Sequence, residues 1–148
     1  MPYVTTVDPE RRVGLVRAFG SVSGEDLAAA DEALYHDSAW QPGFDEIWLC
    51  DGITEFSVLP HELKAVVRME TDARVGTGRV ALVMTRDVVR MIGELYQQMM
   101  AGLNREVNVV FSLDEAARWL GMPAPPAWFS DPDRSTELVV VGGRRSGW

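Results

Sequence analysis

Apolar side chains recur along this chain with two spacings, every second residue in some stretches and every third or fourth in others. Tyr3 to Val7 and Arg12 to Phe19 (RVGLVRAF) alternate apolar and polar positions and predict two strands. The turn between them, Asp8-Pro9-Glu10, makes them an antiparallel hairpin. Gly20 closes the second strand. Ser23, with Glu25 and Asp26 behind it, supplies a helix N-cap and acidic residues that oppose the positive end of the helix dipole. Leu27, Ala30 and Leu34 then repeat at helical spacing to about His36, and Trp40 to Gly43 is a loop.

Ile47 to Cys50 and Arg79 to Met84 (RVALVM) are continuous apolar runs, the pattern of strands covered on both faces. Between them, Asp51 to Ser57 reads as a polar loop. It delivers the chain to a second helix with Pro60 at its first position and Leu63, Val66, Val67 and Glu70 along one side. Ala73 to Gly78 is a connection. A third helix capped by Asp87 shows the stripe Val88, Met91, Ile92, Leu95, Met99, Leu103. Glu106 to Phe111 is the last strand of the core. Ser112 and Glu115 form a capping box for a fourth helix, whose apolar face is Ala116, Trp119 and Leu120 and whose end is Gly121.

Strands separated by helices imply parallel neighbours joined by right-handed crossovers, with the hairpin adding an antiparallel strand. The prediction is an α/β domain over residues 1–121, a mixed sheet of about five strands with about four helices, followed by a Pro-rich extension over residues 122–148. In that extension Glu137 to Val141 has the pattern of an edge strand. Trp128, Phe129 and Trp148 are aromatics that must fold back or enter a partner, which makes the tail a candidate dimer contact.

Composition narrows the function. The chain of 148 residues suits one domain, and 47% apolar with 24% charged residues is ordinary for a globular protein. A net charge of −8, with Lys64 the only lysine, argues against nucleic acid and anionic membrane surfaces as partners. The N-terminus lacks a signal-peptide pattern and no run is long enough to span a membrane, so a cytoplasmic location is expected. Cys50 stands alone in an apolar strand and reads as a buried thiol. With only His36 and His61, a His-rich metal site is excluded, and neither a metal nor another cofactor is expected.

The element order resembles the STAS domain, and the residues resemble its SpoIIAA-like branch most. The features that carry this are GLVRAFGSVSGEDL (Gly14 to Leu27), WQPGFDEIW (Trp40 to Trp48), Asp51 closing the third strand, RVALVM, and LDEAARWLG (Leu113 to Gly121), over about residues 3 to 121. The resemblance implies a regulatory module acting through protein recognition. In the anti-sigma-factor antagonists that define the fold, a serine at the helix after the third strand is phosphorylated by a partner kinase. Here the matching region reads DGITEFS, without the aspartate–serine–serine–glycine signature, and Thr54 and Ser57 are approximate stand-ins.

Loops leaving the carboxyl ends of parallel strands gather on one edge, beside helix N-termini. They would bring together Asp51, Thr54, Ser57, Thr85 and Arg86, an arrangement suited to a protein partner or an anion. Ser57 and His61 lie four residues apart, yet no glycine-rich elbow surrounds Ser57, and the expectation is a non-enzymatic protein. Met69, Met84, Met91 and Met99 suggest a second use: an adaptable apolar groove between the second and third helices that takes a lipid or other small molecule.

Overall fold

The computed structural model describes residues 2–125 and 127–130. Five strands form one sheet in the order β1-β2-β3-β4-β5: β1 Tyr3–Asp8, β2 Val13–Ser23, β3 Asp45–Ser57, β4 Val80–Val83 and β5 Val107–Val110. β1 pairs antiparallel with β2, and every later pairing is parallel. The helices are α1 Gly24–Tyr35, α2 Pro60–Glu70, α3 Asp87–Met100 and α4 Leu113–Leu120, with a single 3₁₀ turn at Ala127–Ser130.

Strand alternation sorts the interior into two layers. Trp48, Cys50, Val80 and Leu82 face α1, α2 and α3, while Ile47, Leu49, Ala81 and Val83 face α4. Phe129 belongs to the second layer, and its carbonyl accepts from the Arg17 guanidinium at 3.2 Å. The start of the C-terminal extension therefore folds back under the sheet. The expected strand at Glu137 to Val141, Trp148 and the dimer contact assigned to them lie outside the described residues.

The caps follow the local sequence. Ser23 Oγ accepts from the Asp26 N–H, and the Asp26 carboxylate accepts from the Ser23 N–H at 2.8 Å, a reciprocal box that starts α1. Pro60 sits in the first turn of α2, where Glu62 accepts from the Leu59 N–H at 2.9 Å. Gly121, at φ +66°, ends α4.

Four expectations are corrected. β2 does not stop at Gly20 but continues to Ser23, with a shift of register and φ +70° at that glycine. Asp51 to Ser57 is not a loop: it is the second half of β3, paired to the second half of β2 from Gly52 opposite Phe19 to Ser57 opposite Ser23. Backbone pairing satisfies the polar main chain there as well as a loop exposed to water would, and a register shift that skips Thr54 puts Ile53 and Phe56, three residues apart, on one face and so breaks the strand's period of two. Finally, the buried face of α3 is Val89, Gly93, Tyr96 and Met100, one position on from the expected stripe, which leaves Val88 and Met91 66% and 68% exposed. A glycine and a tyrosine carry that face, so a count of aliphatic residues missed its phase. The helix begins at Asp87, with Arg86 in the cap position.

No helix among the described residues is long and apolar enough to cross a membrane. Gly78 passes so close to β3 that a Cβ there would collide with the carbonyl oxygen of Phe44. Gly78→Ala is expected to cost about 1 to 3 kcal/mol, read as a lowered urea midpoint with unchanged slope.

Candidate functional site

The polar edge expected from the sequence divides into two parts. Asp51 and Thr85 meet: the Asp51 carboxylate accepts from the Thr85 N–H at 3.2 Å and its hydroxyl at 3.1 Å, which ties β3 to the entrance of α3. Arg86 is also brought in, its guanidinium donating to the Ile53 carbonyl. Thr54 and Ser57 lie further along β3, both exposed. Ser57 Oγ lies 3.4 Å from Glu55 Oε1, and no hydrogen bond joins it to His61. The edge is thus a bonded junction at one end and an open hydroxyl-bearing strand at the other.

Behind that strand lies an apolar cavity of about 40 Å³. Leu27 of α1, Phe56 of β3, Leu63 and Val66 of α2, and Ile92 and Gly93 of α3 enclose it, and Trp48, Cys50, Leu82 and Met84 form its floor. It is half-open to solvent. Of the four methionines expected to line a groove, Met84 lines this one, Met91 faces solvent, and Met69 and Met99 lie outside the lining. The Cys50 thiol in the floor is pushed up to about 12, by burial first and the neighbouring Asp51 second, and stays protonated at neutral pH.

The inner end of the cavity is charged. Glu70 and Tyr96 line it, and they belong to a knot of buried polar side chains that the sequence reading did not find. Asp31, Glu46, Glu70 and Arg105 are all buried. Glu46 shares the face of Trp48 at the start of β3 and accepts from the Trp48 indole at 2.9 Å and the Tyr35 hydroxyl at 2.6 Å. Arg105 closes on it at 2.7 Å. The guanidinium also donates to the Gly78 carbonyl at 2.8 Å and the Tyr35 hydroxyl at 3.0 Å. Gly76 makes room for it, since a Cβ there would stand 2.5 Å from its NH1.

Glu70, at the last turn of α2, accepts from the Tyr96 hydroxyl of α3. Asp31 of α1 faces the Glu70 carboxyl, and apart from that carboxyl no N–H or O–H of the described residues reaches either of its oxygens. Burial first, and the charge of Glu70 second, raise the Asp31 carboxyl well above the usual carboxylate range, while Glu46 raises it further and Arg105 opposes. Glu70 is raised as well, chiefly by burial. The two carboxyls thus face each other in the interior, both raised, Asp31 the more. Oxygens of Asp31, Glu46 and Glu70 lie within 4.8 Å of one another, which makes these three the described residues placed to hold a metal ion.

A signal for the knot was present. Asp31 lies four residues after Leu27, and Glu70 seven after Leu63, both on the core faces of their helices, while Glu46 is two residues before Trp48.

No family model and no curated protein matches the chain. Among solved structures it is similar to an uncharacterised protein of the DUF3478 family, with a SpoIIAA-like fold, from Shewanella loihica PV-4. The TM-score is 0.55 at 11% identity, over 80% of this chain and 93% of that one. At that identity the likeness concerns the fold alone, and the fold of this chain is SpoIIAA-like.

Two expectations follow from the knot. A carboxyl raised in the folded state adds stability that is complete below its unfolded value, about 4, and is lost as pH rises through the folded value. In chelating buffer, Asp31→Asn should therefore raise the unfolding midpoint relative to the parent near pH 8 and change it little near pH 4. Separately, Arg105→Met should cost about 3 to 5 kcal/mol in urea unfolding, and adding Glu46→Leu should recover more than half of the loss.

Proposed function

We propose that this protein is a non-enzymatic binding module that takes an apolar small molecule or acyl chain into the cavity between α1, α2 and α3. The observation that supports this reading is the half-open cavity, apolar except at its inner end, where Glu70 and Tyr96 stand. Binding sites for small molecules combine an apolar lining with a few fixed polar groups. The cavity as it stands admits only the tip of such a ligand, so α2 and α3 part as the chain enters. Ile92 and Phe56, both partly exposed, are the side chains at the mouth that give way.

A second reading rests on a different surface. Thr54, Glu55 and Ser57 are exposed along a strand that runs past the end of β4. A protein partner, or a second copy of this chain, would meet that strand, and phosphorylation of Thr54 or Ser57 would add charge to it. Phosphosite mapping of the native protein addresses this reading, and modification at neither hydroxyl counts against the switch.

The primary reading is tested by titrating the full chain with a fluorescent fatty acid. Saturable binding is expected in the parent. Ile92→Trp, which fills the mouth from a partly exposed position, should weaken it by at least about tenfold without changing the far-ultraviolet circular dichroism. Equal binding by parent and variant would reject the cavity as the site.

A further inference from the structure

The knot beneath the cavity is out of charge balance. Among the described residues, three buried carboxylates, Asp31, Glu46 and Glu70, stand against one buried guanidinium, that of Arg105, which is already committed to Glu46 at 2.7 Å. Two negative charges remain. A proton shared by Asp31 and Glu70 removes one of them and leaves the other in a low-dielectric interior, where an uncompensated charge is costly.

The unsatisfied groups are concentrated on one side of the knot. Glu46 accepts from Trp48 and Tyr35 and is ion-paired with Arg105, whereas Glu70 has the Tyr96 hydroxyl and Asp31 has no donor from outside the carboxyl cluster at either oxygen. Asp31 is fully buried and points at the other two carboxylates. Carboxylate oxygens within 4.8 Å of one another span the coordination sphere of one ion bound at about 2.3 to 2.6 Å. The donor set is oxygen alone, with no sulfur or imidazole, which selects hard cations over zinc or copper.

We propose that Asp31, Glu46 and Glu70 form a buried site for a hard divalent cation, with Asp31 and Glu70 as the principal ligands and Glu46 the shared third. Glu70 also lines the half-open cavity, which brings one ligand of the site to a space connected with solvent. The ion neutralises the charge left by Arg105 and ties α1, α2 and β3 together at one point. It also places a positive centre at the inner end of the apolar cavity.

The test uses the full chain, freed of metal by chelation. Ca²⁺ or Mn²⁺ should raise the unfolding midpoint saturably, by ~5 to 10 °C at about a hundred times Kd. Terbium, a luminescent stand-in for Ca²⁺, should show emission sensitised by Trp48, whose indole is bonded to Glu46. Asp31→Asn and Glu70→Gln should each abolish that emission, and Asp114→Asn, at an exposed carboxylate, should keep it. A parent protein whose midpoint does not respond to any of these ions overturns the site, and so does emission that survives both Asp31→Asn and Glu70→Gln. The midpoint of the unaltered chain decides the matter even if a variant fails to fold.

Discussion

The contact between Arg105 and Glu46 is the constraint on which the α1–α3 side of the molecule depends. Glu46 is fixed by its place on β3, and Arg105 arrives from the segment before β5, so the pair ties the two ends of the parallel sheet's crossovers to one point. Tyr35 and Trp48 complete the shell around Glu46, and Tyr35 in turn packs at a tilt against Trp40, ring centroids 5.1 Å apart, whose indole donates to the Val75 carbonyl at 2.8 Å. A buried ion pair gains little over apolar packing in net stability, but removing one partner leaves a charge with nowhere to go. Specific placement of the elements, rather than depth of the free-energy well, is what such a pair supplies here.

That placement shapes the cavity. α2 and α3 are joined at Glu70 and Tyr96, where a carboxylate accepts from a hydroxyl, and Leu63, Val66, Ile92 and Gly93, nearer their N-termini, line the cavity. The second half of β3 covers the cavity with Phe56; Ile53 is buried, whereas Thr54 and Ser57 are exposed. Asp51, through Thr85, and Arg86, through the Ile53 carbonyl, pin that half of the strand to the start of α3. The polar edge and the apolar cavity are therefore two sides of one strand, and movement of the strand would be felt at both.

The sheet and helices were legible because their apolar periods are clean: IWLC and VALV admit one reading each, and the caps at Ser23, Pro60 and Ser112 mark the helix starts in sequence. The second half of β3 was misread because Asp51, Gly52, Thr54 and Ser57 have loop chemistry, while pairing with β2 is a long-range fact that local composition does not carry. The knot escaped for a related reason. Each of its acids sits singly in an apolar pattern, where a charged residue reads as an interruption. Their convergence from α1, β3 and α2 onto Arg105, more than thirty residues beyond Glu70, exists only in three dimensions.

The chain thus places an electrostatically unbalanced centre beside a small half-open apolar cavity, and the state of Asp31 reports on that centre directly. The measurement that tests this is the side-chain carboxyl carbon resonance of Asp31, followed by nuclear magnetic resonance against pH in chelating buffer. The account predicts a transition well above the ordinary aspartate value of about 4. A transition at the ordinary value would contradict it, because Asp31 would then be neither buried beside Glu70 nor short of a partner.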